Sequence, residues 1–325
     1  MKCLMKREKV NHIFRNCTLP AVRLFLVFSF AILSGFVAVS CDTPVVQHTN
    51  TSTPTQTGVS VGKNDFSVVV LPDTQYYSQK YPQIFLSQTQ WIVNNLKNYN
   101  IVFVTHSGDI VNDCDDREQW QFAKIALKQL DGIVPYGLLP GNHDQPTELF
   151  NQYFSWTNYA NDNWYKGHFG DTNDNNYQII STGGTKLLFL QLQFSPTPEI
   201  INWADEIIDS NQDCTVILNT HSVLYTDDSY TAEGKKLIPL IDEDANLRIV
   251  LCGHNHGEAL KIVESAGHET YVMLADYQNL EKGGDGYLRI LTFHTGQHKV
   301  EVSTYSPYVK EYQTDDDSRF VLDFP

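Results

Sequence analysis

This 325-residue sequence has few cysteines and lacks several common catalytic motifs. Of its six cysteines, only Cys114, Cys214 and Cys252 follow residue 41, and this odd number does not predict a disulfide framework. The sequence has no Gly-x-Ser-x-Gly elbow, no Gly-rich phosphate loop with lysine and no Cys-x-x-Cys pair. It also has no internal repeat of about 20–50 residues, which argues against a solenoid.

Basic residues are scarce as well. The chain has 23 Lys and Arg against 38 Asp and Glu, a formal net charge of −15. Six of the basic residues lie within residues 1–40, so the remainder of the chain carries about −20. A surface this acidic repels phosphate backbones, and a nucleic-acid-binding role is therefore not expected.

No apolar run reaches the roughly 20 residues of a transmembrane helix. The longest is the 16-residue stretch 24–39, which follows the basic segment and ends in Ala38-Val39-Ser40-Cys41. This order resembles a bacterial lipoprotein signal, and it predicts a signal peptide over 1–40 with lipid on Cys41. An uncleaved N-terminal anchor helix is the alternative. Both place the body of the protein outside the cytoplasm, attached to a membrane.

Residues 41–62 are rich in Thr, Ser and Pro and predict a flexible tether, followed by a folded domain over 63–325. Within that domain, short apolar runs alternate with helical patterns, which indicates one α/β domain with mixed sheet content. The predicted strands are 66–71, 101–105, 136–139, 215–218 and 247–251, with a hairpin over 176–182 and 186–192 and a meander from 259 to 305. The predicted helices are 82–98, 117–130 and 199–210.

Residues that commonly bind metals follow almost every predicted strand. The five segments are Asp73-Thr74-Gln75, Gly108-Asp109, Gly141-Asn142-His143-Asp144, Asn219-Thr220-His221 and Gly253-His254-Asn255-His256. In open α/β sheets, ligands bind beyond the carboxyl ends of the strands, so these five turns can meet at one site. Each segment alone has an ordinary explanation, such as a helix cap or a turn. The ordered set of five favours a metal site.

The five segments resemble the motif set of the calcineurin-like metallophosphoesterases: Asp-x-His, Gly-Asp-x-x-Asp/Asn, Gly-Asn-His-Asp/Glu, a later His, and Gly-His-x-His. The resemblance implies two packed mixed β-sheets flanked by helices. It also implies two metal ions, which can be Mn, Fe or Zn. One would be held by Asp73, Asp109 and His256, and the other by Asp109, Asn142, His221 and His254. His143 would then protonate the leaving group.

The sequence departs from the family pattern at position 75, where Gln75 replaces the usual histidine. An amide oxygen is a weaker ligand for transition metals than imidazole, so Gln75 either binds one metal loosely or only supports the true ligands. Asn112 stands where some family members have Asp. Asn112 and Asp144 are candidates for contacting the substrate or for holding the metal ligands in place without binding the metal themselves.

The resulting hypothesis is a membrane-tethered hydrolase that attacks a small phosphoester with a hydroxide held between two metals. Two alternatives stay open: a surface lipoprotein that binds a metal or ligand on the same fold without catalysis, and a metallohydrolase that acts on a bond other than a phosphoester, such as an amide. Tyr277-Gln278, after the apolar stretch 272–275, either faces the cleft or packs in the core.

The N-terminal pattern yields a first test. We expect Cys41 to be the lipid-bearing first residue of the mature protein, because the basic segment, the short apolar stretch and Ala-Val-Ser-Cys occur in that order. Mass spectrometry of the membrane fraction measures this directly. A protein that retains Met1, or that is cleaved elsewhere, would contradict the prediction.

Overall fold

The fold consists of two seven-stranded β-sheets with flanking helices. The computed structural model describes residues 62, 64–265 and 267–324. The predicted signal peptide, Cys41 and nearly all of the predicted tether lie outside the described residues. The strands are β1 (Phe66–Leu71), β2 (Ile101–His106), β3 (Tyr136–Gly137), β4 (Tyr165–His168), β5 (Asn176–Thr182), β6 (Thr185–Leu192), β7 (Thr215–Thr220), β8 (Leu247–Cys252), β9 (Gly257–Ser265), β10 (His268–Asp276), β11 (Leu288–His294), β12 (Lys299–Ser306), β13 (Glu311–Tyr312) and β14 (Arg319–Asp323). The α-helices are α1 (Gln75–Lys80), α2 (Pro82–Tyr99), α3 (Arg117–Leu127), α4 (Glu148–Tyr153), α5 (Pro198–Asp209) and α6 (Ile238–Glu243).

Both sheets are mixed. The first has the order β13-β12-β11-β1-β2-β3, with β14 also pairing with β12, and the second has the order β4-β5-β6-β7-β8-β10-β9. Strands β1, β2 and β3 are parallel in the first sheet, and β6, β7, β8 and β10 are parallel in the second. The expected pair of packed mixed sheets flanked by helices is confirmed.

Alternating side chains of the strands separate the layers. In β1, Phe66, Val68 and Val70 join the apolar layer between the two sheets, whereas Val69 and Leu71 pack with the buried faces of α2 and α3. The rings of Phe103 and Phe189 stack across the sheet interface at 3.8 Å between centroids. Strands buried on both faces explain why their sequences are continuous apolar runs.

A network of polar side chains interrupts this apolar layer near the carboxyl ends of the strands. Thr105 on β2 donates to Gln191 on β6 (3.0 Å), and Asn219 on β7 donates to Thr105 (2.7 Å) and to the carbonyl of His106 (3.1 Å). All of these side chains are buried. Burying a polar group without a hydrogen-bond partner costs free energy, so this network favours one alignment of the two sheets.

The C-terminal region differs from the single meander expected over 259–305. Strands β9 and β10 form a hairpin at the edge of the second sheet, and β11 and β12 belong to the first sheet. The reason is pairing with distant strands: β10 lies parallel to β8, and β11 lies antiparallel to β1. Strand β3 is also shorter than expected, with two residues. No helix among the described residues is both long and apolar enough to span a membrane.

Asp244 is a buried acid that follows α6 and precedes β8. It lies at the end of β8 opposite to the candidate ligands His254 and His256. Its Oδ2 has no hydrogen-bond partner, and burial together with Asp205 and Asp209 raises the pKa of Asp244 to about 6. The folded protein therefore holds this proton more tightly than the unfolded chain does. Its contribution to stability is present at low pH and is lost as the pH rises through about 6.

We therefore expect Asp244→Asn to raise the free energy of unfolding at pH 7 by about 1 kcal/mol and to change it little below about pH 4. Urea unfolding of the metal-free protein at both pH values measures this. The exposed Asp316→Asn is the matched control, for which no gain is expected. Equal gains at the two pH values would show that the buried charge is not the cause.

Candidate metal centre

Asp73 begins the site at the carboxyl end of β1. The side chain is buried, its Oδ2 accepts the backbone N–H of His254 (3.1 Å), and its Oδ1 has no partner. Gly253 permits this approach, because a Cβ at that position would lie 2.2 Å from Oδ1 of Asp73. Burial, followed by the charge of Asp276, raises the pKa of Asp73 well above its usual range. A cation at this position would remove that penalty.

Asp109 connects the first, second and third motif segments. Its Oδ1 accepts the backbone N–H of His143 (2.8 Å), and its Oδ2 accepts the amide of Gln75 (3.2 Å) and lies 3.4 Å from Nε2 of His221. Although burial alone would raise the pKa of Asp109, the contacts with His221 and with the N–H of His143 lower it overall. Asp109 also has a φ of 49°, a strained backbone of the kind that clusters at functional sites.

His221 is held in the orientation that a metal ligand requires. Its Nδ1 donates to the carbonyl of Ser107 (2.9 Å), so Nε2 faces Oδ1 of Asn142 (2.9 Å) and Nδ1 of His254 (3.2 Å). Burial disfavours the charged ring, yet Asp109 and Asp73 outweigh it and raise the pKa of His221 to about 10. Metal binding at Nε2 would displace the proton held there.

His254 and His256 contact different neighbours, His254 lying beside His221 and His256 beside Gln278. His254 has a φ of 70°, and burial together with the charge of His221 lowers its pKa. Nε2 of His256 donates to Oε1 of Gln278 (3.0 Å), which leaves Nδ1 of His256 as the free lone pair. Gln278 thus contacts the candidate ligand His256, whereas Tyr277 packs with Tyr287; both side chains are buried.

The residues present fit a bound metal. Ligand atoms of Asp109, His221 and His254 all lie within 4.8 Å of one another. Buried oxygens of Asp73 (Oδ1) and Gln75 (Oε1) lack any partner, although such atoms are normally paired. A set of carboxylate, imidazole and amide ligands suits Mn, Fe or Zn.

His143 stands at the exposed side of the cluster. Its Nδ1 donates to the backbone carbonyl of Asn112 (2.9 Å), so Nε2 is left for another partner. The backbone N–H of Asn112 is in turn held by Oε1 of Gln119 (2.8 Å). Asn112 thus orients His143 through its backbone, and its side chain makes no hydrogen bond among the described residues.

Asp144 lies behind the site and does not face the cleft. Its carboxylate accepts three backbone N–H groups, from Gly141 (2.8 Å), Ile110 (3.0 Å) and Val111 (3.0 Å). It joins the turn after β2 to the turn after β3. Burial, then the charge of Asp109, raises the pKa of Asp144 to about 7.

Three further residues reach the site without having been identified from the sequence. The ring of Phe194 lies 5.5 Å from His254 and 5.7 Å from His221 between centroids, and covers both imidazoles. His106 accepts the N–H of Gly108 (3.1 Å) and contacts Thr74 (2.9 Å). Asp276, directly after an apolar run, obeys the strand-end rule that identified the other segments, so the sequence did carry a signal for it.

A family model for calcineurin-like phosphoesterases matches residues 66–258. This span covers more than half of the chain and includes all five motif segments. The chain belongs to the calcineurin-like phosphoesterase family.

The chain is also similar to an individual bacterial protein. The chain is 36% identical over 280 residues to the uncharacterized protein YvnB of Bacillus subtilis (strain 168), which covers 80% of this chain. The matched region is 21% of that relative, so the chain spans about a fifth of its length.

Solved structures share the fold. The purple acid phosphatase PPD1 from yellow lupin (Lupinus luteus) seeds superposes with a TM-score of 0.55 at 14% identity, covering 80% of this chain and 54% of that one. GAP50 of Plasmodium, an anchor in the inner membrane complex, superposes with a TM-score of 0.51 at 13% identity, covering 81% and 90%.

Gln75 provides a direct test of the metal site. We expect about two metal ions per chain at saturation, with unequal affinities because one position has an amide where imidazole is usual. Gln75→His should tighten the weaker site by about tenfold. Calorimetric titration with Mn²⁺ and elemental analysis measure affinity and content.

The matched control is Gln88→His. Gln88 on α2 is another buried glutamine with an unpartnered Oε1, but its amide donates to the carbonyl of Tyr287 (2.8 Å), outside the metal cluster. Its substitution should leave metal binding unchanged. A metal content that never exceeds one ion per chain at saturating Mn²⁺ or Zn²⁺ would refute the prediction.

Proposed function

We propose that this protein hydrolyses a small phosphoester with two metal ions and acts outside the cytoplasm while tethered to a membrane. The observation that carries the proposal is the convergence of Asp109, His221 and His254 beside unpartnered oxygens of Asp73 and Gln75. Such an arrangement gains stability when cations bind, and the family's chemistry supplies the reaction class.

Asp109 is the bridging ligand in this proposal. Asp73, Gln75 and His256 would hold one metal with it, and Asn142, His221 and His254 would hold the other. When bound, the metal pair supplies Lewis acidity that activates water and neutralises charge on the phosphoryl oxygens. The fixed orientation of His221 by Ser107 prepares one ligand before any metal arrives.

His143 is the proposed general acid. The carbonyl of Asn112 accepts its Nδ1–H, an arrangement that is compatible with a protonated ring and leaves Nε2–H for the leaving oxygen. Asn142 already supplies the ligand from this turn, so His143 is not needed to hold a metal. Asp144 keeps both turns in place by pairing with their backbone N–H groups.

The tether is supported by the order of the N-terminal residues alone. A basic segment, an apolar stretch of signal-peptide length and Ala-Val-Ser-Cys precede the domain. Lipid on Cys41 would attach the enzyme to a membrane and expose the site to small substrates in the surrounding medium.

A second candidate function is metal-dependent ligand binding without turnover. Gln75 favours it, because loss of an imidazole ligand weakens one position of the pair. The test is an activity screen of the metal-reconstituted protein on phosphomonoesters, phosphodiesters and acyl amides, with Asp109→Asn as the inactive reference. Metal binding without any hydrolysis supports the binding function, and an acyl product indicates an amidase.

His143→Ala tests the assigned roles. General acids typically contribute about 10²–10⁴-fold, and this contribution grows as the leaving group becomes more basic. We expect the variant to lose about that factor on alkyl phosphoesters, to lose much less on nitrophenyl esters and to keep its full metal content. Steady-state kinetics on the two ester classes and elemental analysis measure these effects.

His168→Ala is the matched control, because His168 is a half-buried histidine that stacks on Trp156 at 4.4 Å between centroids. It should leave both ester rates unchanged. Equal losses on both ester classes for His143→Ala, or loss of a metal, would instead assign His143 to substrate positioning or to structure.

A further inference from the structure

Two short segments at the site contribute four of the eleven buried side-chain polar atoms that have no partner among the described residues. Among the described residues, Asp73 Oδ1, Gln75 Oε1, Asp276 Oδ2 and Gln278 Nε2 are all buried and unpaired. The first two come from the turn after β1 and the other two from the end of β10. Unpaired buried groups are rare, and a cation is a partner that suits the three oxygens but not the amide nitrogen of Gln278, which is a donor.

The sheet order brings Asp276 to the metal cluster. Strand β10 runs parallel to β8 with Leu274 opposite Cys252, so its last residue, Asp276, extends beyond the same sheet edge as His254. In the ladder with β9, Asp276 pairs with Gly257, the residue that follows His256. The carboxyl end of a sixth strand thus joins the five identified from the sequence.

The Asp276 carboxyl is buried at this sheet edge and keeps one oxygen without a partner. Asp276 is fully buried, and its Oδ1 accepts the N–H of Gln278 (2.9 Å), which leaves Oδ2 free. Burial and the charge of Asp276 both raise the pKa of Asp73. Asp276 also interacts with His256, the ligand expected at the same metal position.

A carboxylate ligand from β10 would compensate for the missing imidazole at position 75. Gln75 brings a neutral amide where imidazole is usual, and this leaves one metal position with weaker donors. A carboxylate from another strand end supplies a strong anionic ligand, one that suits harder ions such as Mn²⁺. Gln278, two residues after Asp276, accepts a hydrogen bond from Nε2 of His256 in the turn after β8 and so orients that imidazole.

We propose that Asp276, through Oδ2, is a ligand of the metal position formed by Asp73, Gln75 and His256. This inference rests on the proposed two-metal function and assigns one residue to it. It makes β10 part of the metal centre and explains why an acid is fully buried at the end of that strand.

The test is Asp276→Asn in the full-length protein. The asparagine Oδ1 can still accept the N–H of Gln278, so the turn is kept while the anionic ligand is lost. We expect wild type to hold about two Mn²⁺ ions and the variant to bind the second about 10–100-fold more weakly. Calorimetric titration and elemental analysis after dialysis measure this, and neither depends on activity.

Asp244→Asn is the matched control, since Asp244 is also a buried acid with an unpartnered Oδ2. Both substitutions remove a buried charge, and thermal unfolding of the metal-free proteins first establishes that both fold. Only Asp276→Asn should reduce the rise in melting temperature that Mn²⁺ produces.

A double variant shows whether Asp276 compensates for Gln75. In a Gln75→His background the imidazole is restored, so Asp276→Asn should weaken Mn²⁺ binding much less than it does alone. If Asp276→Asn alone does not fold, Asp276→Ala takes its place in both backgrounds, since it removes the same anionic ligand. Unchanged second-site affinity in Asp276→Asn, or full additivity of the two substitutions, would overturn the Asp276 assignment and leave the proposed function standing. A wild-type protein that binds only one metal would overturn both.

Discussion

The burial of carboxylates at one sheet edge is the constraint on which the rest of this structure depends. Asp73, Asp109, Asp144 and Asp276 are all nearly or fully inaccessible to solvent. Removing an ionised carboxylate from water costs several kcal/mol unless hydrogen bonds or cations compensate. Three backbone N–H groups compensate part of this cost at Asp144, whereas Asp73 and Asp276 each keep an oxygen without a partner. The arrangement is therefore built for a cation rather than for stability.

The scaffold can bear this cost because rigid elements support the site from below. Parallel strands of both sheets end at the same edge, and the network of Thr105, Gln191 and Asn219 pairs the sheets immediately beneath it. Above the network, the turns adopt backbone conformations that few residues favour, as at Asp109 and His254. Strain of this kind persists only where the surrounding structure over-determines it, and here the apolar layer between the sheets supplies that support.

Much of the fold followed from local sequence, and the missing parts share a physical cause. Apolar runs such as 66–71 and 247–251 identify buried strands, because burial on both faces leaves a continuous apolar pattern. The five motif segments follow strands and could therefore be assigned to one edge. Neither the pairing of β10 with β8 nor the position of Phe194 over the imidazoles is encoded locally. Those features depend on contacts between residues far apart in the chain, as does the bridging of two turns by Asp144.

The charge of the site is compatible with glutamine in place of the usual histidine at position 75. With Asp73, Asp109 and Asp276 ionised, the cluster carries three negative charges, against the four positive charges of the two divalent cations proposed above. Restoring an imidazole at Gln75 would add a neutral donor without changing that balance, and the amide already donates to Asp109 (3.2 Å), where it stabilises the ionised carboxylate. Gln75 can act in this way only if another residue supplies the strong ligand. Glutamine at the end of β1 and aspartate at the end of β10 therefore form one solution to the same coordination problem, spread over two sheets.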